Sequence, residues 1–307
     1  MRTAIPLTVL ATALACPLAT APAHARARVF VASYGNDANP CTFGSPCKTF
    51  QQAVNVVDAG GEVTAIDSAG FGPINITKAV TITSPPGVEA GIVPTSGGDA
   101  ITINTTAAAD ITLRGLTLEG AGIGATGINI ISVLPATLAG GTINILGCVV
   151  KDFTGNGILV SPNSGVGAVP FMTIVIADSL LTGNGEDGIQ VFPFINVSTS
   201  IYRTIVDSNG TGIYINSSIA GVIDSHVDNN KSAAIFVINN GVVALKRTTA
   251  SHSNNGSNTD VYNDSGFLYL YDRNTIDNLF NGDHGTTDGS NNIGNFSGNA
   301  LTKQATQ

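Results

Sequence analysis

The chain of 307 residues contains no Trp, two Met, four Cys and only 11% charged residues. An ordinary globular domain carries about 25% charge, so this is neither a charge-laced helical protein nor a disordered polyelectrolyte. Aromatic residues make up only 6%, which leaves Ile, Val, Leu and Ala to supply most of the 43% hydrophobic content. Basic residues are also scarce, 13 against 21 acidic, for a net charge of −8. That balance excludes nucleic acid and anionic membrane as natural partners, because both require a basic footprint. What is abundant is Gly, at 36 residues, with β-branched residues, Asn and Thr. This is the composition of strands and turns.

The first 25 residues have a basic start at Arg2, an apolar run from Ile5 to Leu18 and a small-x-small ending at Ala23-His24-Ala25. This is the pattern of a secretory signal peptide cleaved after Ala25, and it predicts a secreted protein, extracellular or periplasmic. Cys16 raises a lipoprotein alternative, against which the residues Ala13-Leu14-Ala15 lack the expected leading Leu. No later segment is long enough to span a bilayer. Of the remaining cysteines, Cys41 and Cys47 bracket a short loop turned by Gly44 and Pro46, and an oxidising compartment predicts a disulfide between them. Cys148 is then unpaired.

Repetition dominates the rest. A small residue followed by alternating β-branched residues recurs at Gly127-Ile128, Gly157-Ile158, Gly188-Ile189, Gly212-Ile213 and Ala234-Ile235, with a fainter continuation at Asp260-Val261. A second series precedes each of these, starting at Ile111, Ile143, Ile174, Ser200, Gly221 and Val243, and each holds two short alternating segments divided by a corner. One period thus contains three short strands, none able to bury a core alone. Stacking equivalent strands solves this, which is the logic of a solenoid. It predicts inward columns: Ile128, Ile158, Ile189, Ile213, Ile235, Val261; and Leu118, Val150, Leu181, Val206, Val227, Ala250. Cys148 falls in a buried small-residue column with Leu116, Ser179, Thr204, Ser225 and Thr248. Asn184, Asn209 and Asn230 form a turn column suited to stacked amides.

Phrases such as DSNGTGIYINSS and DNNKSAAIFVINN resemble the right-handed parallel β-helix repeat family, over roughly residues 60 to 280. That resemblance implies an all-β, pectate-lyase-like solenoid. In KTFQQAVNVVDAG, Phe50, Ala53, Val54 and Val57 share one helical face, with Thr49 and Gln52 as a capping box and Gly60-Gly61 as the stop. This helix is expected to cover the open first turn of the solenoid. The expected organisation is a signal peptide (1–25), a strand, Cys loop and capping helix (26–60), the β-helix (61–280) and a C-terminal cap or extension (281–307). The lead-in is similar to the opening of many secreted β-helix proteins, including some polysaccharide lyases.

Chemistry is less legible. GIGATG matches a dinucleotide-binding pattern at Gly122, Gly124 and Gly127, but a β-branched, Pro-ended segment follows it where a helix is required, so these are read as turn glycines. Glu186-Asp187, Asn258-Thr259-Asp260 and His284-Gly285 are similar to fragments of polygalacturonases. Their order is wrong, however, and Asp187 and Asp260, three rungs apart, would lie about 14 Å from each other, beyond the reach of hydrolytic carboxylate pairs. Lyases of this fold use carboxylate-bound Ca²⁺ and a basic residue. The candidates here are the corner column Asp178, Arg203, Asp224 and Arg247 with Lys246, and its alternation predicts a self-neutralising ion ladder. No other metal or cofactor site is expected. His226 and His252 read as surface turn residues.

Outward residues of the third strand include Tyr214, Phe236 and Tyr262, with Phe192 and Phe194 in a nearby turn. They predict an exposed aromatic strip that either seats sugar rings or a partner, or else stacks across rungs to stabilise the sheet or lies under a loop. With no complete catalytic set, the sequence favours a non-catalytic exported protein that binds polysaccharide, cell-surface glycan or another macromolecule. The alternative is a Ca²⁺-dependent polysaccharide lyase or other carbohydrate-active enzyme, with a lyase preferred to a glycoside hydrolase.

Overall fold

The computed structural model describes residues 26–134, 141–164, 171–253 and 259–281, with the short segments 284–287, 293–298 and 302–303. The predicted signal peptide and Cys16 lie outside the described residues.

The alternating strands pair only with their equivalents one turn earlier and later, always in parallel. The first sheet has twelve described strands, running from Arg28–Val31 through Thr142–Leu146 and Asn196–Tyr202 to Thr302–Lys303. A second passes through Val149–Lys151, Leu180–Thr182, Ile205–Asp207 and His226–Asp228. A third passes through Ile128–Ile130, Ile158–Val160, Asp187–Val191, Thr211–Asn216, Ile235–Ile238 and Val261–Asn263. The three sheets wind into a right-handed parallel β-helix, the hand that a twisted strand imposes on its crossover.

The core lies inside this coil. Register pairs Ile128 with Ile158, then Ile189, Ile213, Ile235 and Val261, and all six are fully buried. Leu118 through Ala250 form the second predicted column, also fully buried. Each Ile, Leu or Val of these columns contributes about 1.5–3 kcal/mol of burial, and the single methyl of Ala250 less. Cys148 is buried where expected, and the hydroxyl of Ser179 accepts from its backbone N–H at 3.1 Å. Burial pushes the Cys148 thiol up to about 11. Asn184, Asn209 and Asn230 have no exposed surface and form the expected amide ladder.

The corners explain another part of the composition. Gly115, Gly147, Asp178, Arg203, Asp224, Arg247 and Asp272 occupy one corner, and all have left-handed backbone, with φ between 43° and 69°. Glycine accepts that conformation freely; the later rungs place charged residues there.

The helix spans Phe50–Val56, with Thr49 as N-cap and Phe50, Ala53 and Val54 buried against the first rungs. It departs from expectation in two details. Only one arm of the capping box forms, from the Gln52 N–H to Thr49 Oγ1, because Asp37 Oδ1 takes the Thr49 N–H instead. The helix also ends at Val57, which is extended, before Gly60 and Gly61 are reached. Asp37 therefore ties the helix start to the loop closed by the Cys41–Cys47 disulfide, whose two cysteines are buried. At the far end, the sheets continue beyond Phe280 with strands His284–Thr287, Ile293–Gly298 and Thr302–Lys303. No described helix is long and apolar enough to cross a membrane.

Candidate functional site

The predicted corner column forms as an ion ladder. Arg203 grips Asp178 through Nε at 2.7 Å and Nη2 at 2.8 Å, and Arg247 grips Asp224 at 2.6 and 2.7 Å. Arg247 reaches onward to Asp272 at 3.0 Å, a member that sequence reading missed. The arginine hydrogen bonds hold all three carboxyls below their ordinary range. Lys246 ends its strand beside this ladder, contributing a positive field at Asp224. With each carboxylate already occupied by a guanidinium, the column does not fit a Ca²⁺ site. Among the described residues, no three His, Cys, Asp or Glu side chains group in a way that would hold a metal ion. The two arginines of the column are raised by their carboxylate partners, the wrong direction for a base.

The glycines of GIGATG are structural. A Cβ on Gly124 would meet Pro94 Cγ at 2.5 Å, and one on Gly127 would meet Val150 Cγ1 at 2.3 Å. Asp260 is buried and serves the backbone, accepting from the N–H groups of Ser253 and Asn278. Asn258 lies outside the described residues, and His284-Gly285 belong to a strand. His226 and His252 are exposed.

The outward face of the third sheet is different. Its register places Asn75, Thr102, Asn129, Leu159, Gln190, Tyr214, Phe236 and Tyr262 in one column, one residue per rung, and Phe280 extends it. The strip from Tyr214 onward is stacked and half-buried: Tyr214 on Phe236 at 5.4 Å, Phe236 on Tyr262 at 4.9 Å, and Tyr262 on Phe280 at 4.9 Å, all within 16° of parallel. Cross-rung stacking thus engages the faces of Phe236 and Tyr262 and leaves their edges outward. The strip is not a row of open platforms. Tyr214 ends the described stack, on the side where Gln190 follows in register. Phe192 and Phe194, in the turn after Gln190, pack edge to face at 5.5 Å and are 41% and 62% exposed.

Beside Gln190 sits a group that periodicity did not reveal. Asp187 is only 9% exposed, and burial pushes its carboxyl up to about 6, with the neighbouring Glu186 adding to the rise. It accepts hydrogen bonds from Thr211 and Gln190, which act in the opposite direction. Asn156 links the row: its amide donates to Glu186 at 3.3 Å and to Gln190 at 3.4 Å, and its Oδ1 accepts the Asp187 N–H. Two rungs before Gln190 in the column, beyond Leu159, Asn129 donates to Asp99 at 2.8 Å. The arrangement presents oriented amides, a carboxyl close to neutrality at mildly acid pH, and the end of an aromatic stack. Such groups can donate to and accept from hydroxyls, and Asp187 has the protonation range of a general acid or base. The sequence signal for this group was the Glu186-Asp187 pair, of which Glu186 is exposed and only Asp187, the first residue of its strand, is buried.

No known family profile matches the chain, and no curated protein matches it in sequence. Solved structures do. The crystal structure of the pectate lyase Pel9A is 12% identical, with 88% of this chain and 77% of that chain covered, at a TM-score of 0.56. A rhamnogalacturonan lyase is 12% identical over 80% of this chain and 82% of that chain, at a TM-score of 0.47. The A-module of the Azotobacter vinelandii mannuronan C-5 epimerase AlgE4 is 13% identical over 80% and 89%, also at 0.47. The likeness to Pel9A establishes a shared pectate-lyase-like fold, and at this identity it carries no activity across.

Proposed function

We propose that this is an exported carbohydrate-binding β-helix that recognises a polysaccharide along the outward face of its third sheet. The observation that carries the reading is the Gln190–Tyr214 region, where Gln190, hydrogen-bonded to Asn156, adjoins the end of an aromatic stack and the exposed Phe192 and Phe194. Successive rungs present a group about every 4.8 Å, which suits a linear, repeating ligand laid along the coil. The exposed rings of Phe192 and Phe194, the outward edges of the stack and the neighbouring amides supply both the apolar and the hydroxyl-matching contacts that sugars need. The buried Cys41–Cys47 disulfide and the leader-like residues 1–25 support export. The test is binding of the exported chain to a panel of soluble plant and microbial polysaccharides. Tyr214→Ala and Gln190→Ala should each weaken binding at least tenfold without loss of fold. Failure to bind any member, or binding untouched by both substitutions, overturns the reading.

A second reading, a carbohydrate-active enzyme working at the same face, is favoured by Asp187 alone. It predicts release of reducing ends or of unsaturated products from a polysaccharide, abolished by Asp187→Asn. Parallel reactions with Ca²⁺ and with chelator report whether calcium takes part.

A further inference from the structure

The second sheet has its own concavity, near the N-terminal end of the coil. A groove of about 430 Å³ opens over its first rungs, a size suited to a small ligand. Its floor is bare backbone, because Gly70 and Gly91 stand side by side at outward positions of strands Ala69–Gly70 and Ala90–Ile92.

Nothing in the fold requires glycine at either place. Neither has left-handed backbone; a Cβ on Gly70 would meet no atom within 4 Å, and one on Gly91 would meet Ala69 O at 3.5 Å and Gly70 Cα at 3.9 Å, both ordinary contacts. Glycine inside a strand costs about 0.5–1 kcal/mol relative to alanine; it occurs at bulges, at bends and where another group approaches the backbone closely, and the last suits the open space above this pair.

The walls supply hydrogen-bonding groups of both kinds. Glu89 stands exposed on one side, next to Ser68, whose Oγ accepts the Glu89 N–H at 2.9 Å and leaves the hydroxyl proton free to donate. On the other side Glu119 pairs with Lys151 and accepts the Ala121 N–H at 3.2 Å. A cation would find only one carboxylate without an ion-pair partner. An anion would face two carboxylates. A neutral polyhydroxylated ring fits better, donating hydroxyls to Glu89 and Glu119, accepting from Lys151 and Ser68, and resting its apolar side on the glycine floor.

We infer that this groove binds a single neutral sugar ring, either a free monosaccharide or the terminal residue of a chain, at a site separate from the third-sheet face. The test is saturation-transfer NMR on the exported chain, with free neutral hexoses and pentoses, their short oligosaccharides and the matching hexuronic acids. At least one neutral sugar should receive saturation, and comparing free sugars with oligosaccharides distinguishes the two sources. Gly91→Val, which fills the floor with a good strand former, and Glu89→Gln, which changes only an exposed wall, should each weaken the signal at least tenfold. Ile219→Ala, at an exposed position on the first sheet, should leave it unchanged. Absence of any neutral-sugar signal, preference for the uronic acids, survival of the signal in Glu89→Gln, or its loss in Ile219→Ala overturns the proposal. Failure of the third-sheet reading is read separately, with polymers and the Tyr214→Ala chain.

Discussion

The side-chain amide of Asn184 donates to Oδ1 of Asn209 at 2.8 Å, and Asn209 repeats the contact with Asn230 at 3.2 Å. The same Oδ1 of Asn209 takes the backbone N–H of Asn184, while its Nδ2 donates to Leu181 O and Asp207 O. Removing Asn209 therefore orphans several fully buried groups at once. Asn209→Ala should cost about 3 kcal/mol in urea unfolding. A loss below about 1 kcal/mol would show that the amide column is not a stabilising element.

Asp187 gives the protein a pH dependence of unusual sign. Its folded pKa, about 6, lies above the ordinary 3.8, so the folded state binds more protons between those values. Its favourable contribution is therefore complete below about pH 4 and disappears as pH rises through 6. Asp187→Asn should raise stability at pH 7.5 by about 2–3 kcal/mol and flatten the profile between pH 4 and 6. Denaturant titrations across that range check it; an asparagine variant less stable than wild type at pH 7.5 contradicts it.

The aromatic stack predicts an order of effects. Among the described residues Phe236 has rings on both faces, whereas Tyr214 has one ring contact and Phe192 and Phe194 form a separate ring pair. Phe236→Ala should cost about 2 kcal/mol and Tyr214→Ala about half as much. Thermal unfolding of the two variants tests the ranking, and equal losses would mean that stacking contributes little beyond area.

Cys148 should be inert in the native protein. Burial keeps it a thiol at pH 8, and the other two cysteines after residue 25 are bonded to each other. Thiol titration of the chain cleaved after Ala25, without reductant, should find none in buffer and one in denaturant. A native thiol that reacts within minutes would place Cys148 at an opening of the coil.

The parts of this molecule that follow from periodicity were legible before any coordinates. Ile128 to Val261, the Asn184 ladder and the Asp178 to Arg247 column all depend on lateral register, and register is locked because a one-residue slip would turn every inward side chain outward. Properties set by depth and by local turns were not. Tyr214, Phe236 and Tyr262 were correctly placed outward, yet their faces are occupied by one another. Asp187 is buried at the start of its strand, beside Thr211 of the next rung. The Thr49 N–H was claimed by Asp37, twelve residues away. Gly70 and Gly91 were individually ordinary; only their pairing across a rung makes a floor.

The corner ladder has a further consequence for how such a coil can change length. Its charges alternate strictly, Asp178, Arg203, Asp224, Arg247, Asp272, one per rung. The apolar columns are nearly the same from rung to rung, so excising a single coil would leave the interior matched. At the corner the same excision would bring Asp178 against Asp224, or Arg203 against Arg247. Losing two adjacent coils would restore the pairing. The surface thus carries a parity rule that the core lacks, and gain or loss of rungs by recombination in this region is expected to proceed in pairs.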